Sequence, residues 1–233
     1  MLKVTGTAIE NVKFIGVDLD KVTVNGVIVF EKVQFNNTVT MRTLQDFITI
    51  TVQTKDLSPC EVWNDGNKIG VLNSALVTDI YIPNKNEDVI IKGKDITSLN
   101  CSDNQLTSLN VQGLNSLKNI YSYSNHLTNL NVQGLNSLQY LNCYYNQLTS
   151  LNVQGLNSLQ FLSCYRNQLS AQAFKEIFNS LLQNENGTAV VYYDNDNNYK
   201  DFTRPPELVE AFNGAKSRGW KFYKNDESDY NLI

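Results

Sequence analysis

Residues 106–126, 127–147 and 148–168 read LTSLNVQGLNSLKNIYSYSNH, LTNLNVQGLNSLQYLNCYYNQ and LTSLNVQGLNSLQFLSCYRNQ, three copies at a period of 21. A shorter copy, ITSLNCSDNQ at 96–105, precedes them. A unit this short cannot bury its own apolar residues, so successive copies must stack. Each copy has room for one short strand, whose alternate residues point inward and outward. Leu99, Ile120, Leu141 and Leu162 then form one internal row. Leu109, Leu130 and Leu151 form a second, with Val111, Val132 and Val153 beside them. Asn104, Asn125, Asn146 and Asn167 recur after each strand, where an amide can satisfy backbone groups that would otherwise be buried unpaired. The remaining residues are too few for a full helix, so turns or 3₁₀ pieces are expected at Gly113, Gly134 and Gly155.

The spacing L-x-x-L-x-L-x-x-N-x-L is met by Leu138, Leu141, Cys143, Asn146 and Leu148, by Leu159, Leu162, Cys164, Asn167 and Leu169, and by Ile96, Leu99, Cys101, Asn104 and Leu106. Ser122 departs, standing where the others have Cys. Over about residues 95–170 the chain resembles the leucine-rich-repeat family, and its L-x-C-x-x-N-Q-L-T-S-L flavour is similar to repeats of bacterial surface proteins, notably from Bacteroidetes. The resemblance implies an α/β leucine-rich-repeat solenoid with an α/β C-terminal cap, and the alternating Val, Ile and Thr of residues 1–90 place a small all-β domain ahead of it. The expected division is 1–90 for a β-rich attachment or oligomerisation domain, 91–169 for the repeats and 170–233 for a helix–strand–helix–strand cap. Cys101, Cys143 and Cys164 share one repeat position and read as small buried apolar residues. Cys143 and Cys164 fall in adjacent copies, within reach of a disulfide, but their even spacing already has a packing explanation.

The copies differ unevenly. One of the first twelve positions varies, against seven of the last nine: KNIYSYSNH, QYLNCYYNQ and QFLSCYRNQ. The constant part builds the repeat, and the variable part forms its outer, concave face. Outward positions there are Asn119, Tyr121 and Tyr123, then Tyr140, Asn142 and Tyr144, then Phe161, Ser163 and Tyr165, with Tyr145 and Arg166 at the strand ends. Tyr121, Tyr123, Tyr140, Asn142, Tyr144, Tyr145, Phe161, Tyr165 and Arg166 are the candidate ligand-binding residues. Tyr and Arg are enriched where interfaces derive most of their energy, and rings edged with amides also suit sugars. Cross-strand ring packing is the other explanation, since Tyr favours sheets.

After the repeats, Ser170 caps a helical stripe of Phe174, Ile177, Phe178, Leu181 and Leu182. GTAVVYYD (187–194) reads as a strand extending the repeat sheet, RPPELVEAFNGAKSRG (204–219) as a helix and WKFY (220–223) as a last strand, before a polar, loose tail. Asp194, Asp196 and Asn198 match the first ligand spacings of a calcium loop. Tyr199 stands where that loop needs Gly and Pro205 where it needs a bidentate Glu, so DNDNN reads as a solvated loop. Ahead of the repeats, Gly6, Gly16 and Gly26 are ten apart, preceded by Val4, Phe14 and Val24 and followed by Ile9, Leu19 and Val29, as short paired strands. EVWNDGNKIGVL predicts a hairpin turning at Asn64–Asn67, and ALVTDIYIP and EDVIIKG two further strands. DKVTVNGVIVFEK (20–32) resembles segments that open many phage tail and appendage proteins, which implies attachment or homo-oligomerisation.

The net charge of −4, without a basic cluster, gives nucleic acid or an anionic membrane surface little to hold, and no apolar run is long enough to span a bilayer. MLKVTGTAIENVKF does not read as a signal peptide. No nucleophile–base pair, phosphate loop or metal motif is visible, and the one histidine, His126, falls at a turn, so no cofactor is implied. The reading is a non-catalytic binding or adhesion protein that recognises a protein or surface glycan. Its setting is either a phage virion or a bacterial cell surface or secretion. The missing leader and the appendage-like segment favour the first, and the repeat resemblance favours the second.

Overall fold

In each copy the strand segment sets one aliphatic residue between two polar or aromatic ones, a pattern stable only with a paired neighbour on each side. The computed structural model, which describes residues 21–24, 27–31, 34–226 and 230–233, shows this pairing. Its strands are β1 (Lys21–Val24), β2 (Val27–Glu31), β3 (Asn37–Thr43), β4 (Phe47–Thr54), β5 (Cys60–Asn64), β6 (Asn67–Leu72), β7 (Thr78–Tyr81), β8 (Val89–Gly93), β9 (Ile96–Asn100), β10 (Leu106–Asn110), β11 (Asn119–Tyr121), β12 (Tyr140–Asn142) and β13 (Phe161–Ser163). Helix α1 (Ala171–Ser180), β14 (Thr188–Tyr193), helix α2 (Pro206–Ser217), β15 (Lys221–Asn225) and β16 (Tyr230–Leu232) follow.

A nine-stranded sheet runs β16-β15-β14-β13-β12-β11-β9-β4-β7, parallel from β15 to β9 and antiparallel at both ends. An antiparallel five-stranded sheet runs β10-β3-β8-β5-β6, and β1 pairs with β2 as a separate antiparallel hairpin. This corrects the expected α/β leucine-rich-repeat solenoid: the protein is mainly β, in two large sheets, with two helices among the described residues. The physical reason lies in the connections. Each copy returns through tight turns, with Gly113, Gly134 and Gly155 at φ of 80°, 78° and 78°, so no helix layer covers the repeat. Residues before 90 instead supply antiparallel strands, β4 onto β9 and β3 onto β10. Strand pairing thus crosses the expected boundary at residue 90, and β13–β14 pairing crosses the one at 169. The chain divides into two compact units, Met1–Gln34 and Phe35–Ile233. Gly6, Gly16, Gly26 and the apolar residues paired with them before residue 20 lie outside the described residues.

The internal rows form as expected. Ile120 sits in register with Leu99 and Leu141, and Leu141 with Leu162, all fully buried, and Ala189 and Phe222 continue the row. Burying each leucine contributes about 1.5–3 kcal/mol. Ser170 accepts the Ala173 N–H at the start of α1, and Phe174 and Phe178 pack with Phe202, Phe212 and Phe222 to close the end of the row. Leu182, expected on that stripe, is half-exposed because the helix ends at Ser180. Asn64 and Asn67 flank the expected hairpin turn. The tail is not loose throughout, since β16 pairs with β15.

A row of buried asparagines fixes the spacing of the copies. Asn125 Oδ1 accepts the N–H groups of Asn104 and Leu106, while its Nδ2 donates to the carbonyls of Cys101, Ser122 and Tyr123. Asn146 and Asn167 repeat this one and two copies on, accepting from Leu127 and Leu148. Each amide joins two adjacent copies through backbone groups that have no strand partner. The row has two ends that the repeat does not announce. Asn104 reaches back to β4, accepting from the Thr49 N–H and donating to the Thr49 carbonyl. Asn198 accepts from Leu169 and donates to Cys164 and Val191, so it is the next member of the row.

Removing one amide strands several buried partners at about 1–3 kcal/mol each. Asn146→Ala and Asn198→Ala are each expected to lower unfolding free energy by roughly 3 kcal/mol in urea titrations, against under about 0.5 for the exposed Asn197→Ala. Burial raises the Cys101 and Cys143 thiols to about 12 and Cys60 to about 11, and all four cysteines are unpaired. Iodoacetamide at pH 8 is therefore expected to leave the folded protein unlabelled and to label it in denaturant, read by mass spectrometry.

Candidate functional site

The strand residues that alternate with the internal row form the outer face of the nine-stranded sheet. Parallel strands in register repeat at about 4.7–4.9 Å, so rings at one repeat position stack at that spacing. Tyr123 and Tyr144 lie 4.7 Å apart at 4° between planes, and Tyr144 and Tyr165 lie 4.6 Å apart at 4°. Four residues earlier along the chain, Tyr140 stacks on Phe161 at 4.2 Å and 7°, and Tyr121, from the position between the two columns, tilts against Tyr140 at 5.0 Å. Asn142 lies between the two columns, in register with Tyr121 and Ser163.

The nine candidate residues therefore gather on one side of one sheet, but not equally open. Tyr145 is 55% exposed, whereas Tyr165 is 8% and Ser163 is 1% exposed. Tyr165 is covered because it joins Val190 and Tyr193 in a small cluster flanked by Tyr144, Phe161 and Tyr223. The face thus extends onto β14 and β15, beyond the residues that the repeat marks. Simple alternation along GTAVVYYD would turn Tyr192 outward. An irregularity between Val190 and Tyr192 instead sends Val191 and Tyr192 to the main core and Tyr193 to the outer face. The strand itself was readable as an extension of the sheet; this irregularity left no mark in the sequence.

Tyr145 and Arg166 stand apart from the columns. With Asp103 and Ser124 they occupy one repeat position just past the strand, and all four take left-handed backbone, φ 58° (Asp103), 53° (Ser124), 55° (Tyr145) and 52° (Arg166). A non-glycine residue there costs roughly 1 kcal/mol. At the Arg166 end the geometry is held by Asp196. Its Oδ2 accepts the N–H groups of Arg166 (2.7 Å) and Tyr193 (2.8 Å), and its Oδ1 accepts that of Asn198 (3.0 Å). The Arg166 guanidinium lies 4.3 Å above the Tyr193 ring and 5.5 Å from that of Tyr145. Together they border an open cleft of about 610 Å³, whose rim carries Gln147, Gln168, Asn195 and Asn197.

The DNDNN side chains turn to separate partners: Asp194 to the Lys224 ammonium, Asp196 to backbone N–H groups and Asn198 into the asparagine row. Among the described residues no three His, Cys, Asp or Glu side chains converge as metal ligands would. His126 is exposed at a turn, and its backbone N–H donates to Leu106. Comparison with protein-family models, with curated proteins and with solved structures gave no match.

Burial raises the Asp196 carboxyl above its ordinary 3.8, opposed by the backbone donors it accepts from. A raised folded pKa means the group's stabilising contribution is complete below its unfolded pKa and is lost as pH rises through the folded one. Urea midpoints measured from pH 3 upward are therefore expected to shift in favour of Asp196→Asn, relative to wild type, as the pH passes through that window.

Proposed function

We propose that the protein is a non-catalytic recognition module that holds a protein or a surface glycan against the aromatic face of the nine-stranded sheet. One observation carries this reading: three outward positions of the near-identical copies change chemical character, Asn119/Tyr140/Phe161, Tyr121/Asn142/Ser163 and Ser124/Tyr145/Arg166, whereas the buried row position changes only between Ile and Leu and the glycine turns are constant. Ring packing alone accounts for the stacked columns. It does not account for Tyr145, a large ring half in solvent on backbone that glycine would adopt at lower cost. Such a face is preformed by the sheet spacing, so little order is lost on binding. A single sugar would bind weakly to it, and useful adhesion would come from several copies acting together.

The four cysteines favour binding over thiol chemistry, because burial holds each thiol far from the reactive thiolate. A glycan array and a cell-surface pull-down, each with wild type and the triple variant Tyr121→Ala, Tyr123→Ala, Tyr145→Ala, test the reading. The variant is expected to lose at least tenfold in binding with its fold intact by circular dichroism. Equal binding of every ligand by both proteins would contradict it.

A further inference from the structure

We propose that the cleft at the Arg166 end of the face is a carboxylate subsite, which takes a uronic or sialic acid unit of an acidic saccharide. The proposal rests on the recognition reading and names its ligand class. Arg166 is the one cation on the outer face among the candidate residues, and its side chain makes no hydrogen bond or ion pair among the described residues. The guanidinium carbon lies 4.3 Å from the centre of the Tyr193 ring and 5.5 Å from that of the Tyr145 ring, and the guanidinium edge carries a fork of N–H donors. That edge matches a carboxylate in two parallel hydrogen bonds. Asp196 shares the cleft but makes no direct contact with the guanidinium: its oxygens accept the backbone N–H groups of Arg166, Tyr193 and Asn198, and the Lys200 ammonium lies 3.9 Å from its Oδ1. It anchors the backbone that aims Arg166 instead.

The same repeat position takes left-handed backbone at Asp103, Ser124, Tyr145 and Arg166, and in the last two copies it carries a large side chain at the rim of the cleft. A saccharide fits the rest of the cleft. The exposed Tyr145 ring offers a surface for sugar C–H groups, and the side-chain amides of Gln147, Gln168, Asn195 and Asn197 can donate to and accept from hydroxyls. The volume of about 610 Å³ lies within the range of small-ligand sites. A cleft with one arginine, in a chain of net charge −4, suits one carboxylate per contact and disfavours densely sulfated or phosphorylated chains.

Titration calorimetry on the full chain tests this with three pairs of probes: trigalacturonate, a glucuronate disaccharide and sialyllactose, each against its methyl ester. At least one acid is expected to bind tenfold or more tightly than its ester. Arg166→Gln and Arg166→Gly are expected to reduce that acid to the level of the ester, and Arg166→Lys to restore only part of the difference. Arg166→Gly relieves the backbone strain, so its urea midpoint is expected to match or exceed wild type, which separates lost binding from lost folding. No acid preference in any pair, or a preference that survives Arg166→Gln, overturns the subsite. So does Arg166-dependent binding of a Glu-rich peptide with no saccharide bound. A neutral glycan that binds, and is lost on changing Tyr121 and Tyr123, would leave the recognition reading standing while the subsite fell.

Discussion

The fold depends on one kind of interaction, a buried asparagine amide that links backbone groups of two consecutive copies. Backbone bonds between copies run past the three-residue strands, as from Ser122 N–H to the Asn142 carbonyl, but the N–H groups of Leu106, Leu127 and Leu148 turn inward to side chains. Asn125, Asn146 and Asn167 supply them, so a continuous set of satisfied amides runs under the outer face. Leucine rows alone would tolerate sliding of one copy against the next, because apolar contact has no direction. The amides have direction, and with the backbone ladder they set register.

The same row explains how the repeat ends. Asn104 passes the pattern to Thr49 on an antiparallel strand, and Asn198 receives it from Asn167 across the inserted helix α1. Neither terminal copy leaves its backbone open. Because Asn198 follows Asp196 so closely, the last amide and the carboxylate that positions Arg166 belong to one loop. The frame and the candidate site therefore share their hydrogen bonds at that end.

The leucine spacing made the internal rows, the parallel strand of each copy and the direction of its aromatic residues legible. It did not disclose that residues 37–54 contribute antiparallel strands to both large sheets, because alternating Val, Ile and Thr specify a strand but not its neighbour. DNDNN drew a metal comparison through spacing alone, whereas its asparagine continues a row whose period α1 has broken. Tyr193 was hidden by one irregularity in β14, and Tyr223 by its distance from the repeat. The left-handed backbone at Tyr145 and Arg166 was hidden because neither residue type signals it. These are points where tertiary pairing overrides a local pattern.

A face set by stacked strands is rigid, so binding should be local. The most direct measurement of the central claim is amide hydrogen exchange with and without a bound saccharide from the array. Added protection is expected at 119–124, 140–145, 161–166 and 193–197, with the turns around Gly113, Gly134 and Gly155 unchanged. Protection centred on those turns, or on the five-stranded sheet, would contradict recognition by the aromatic face.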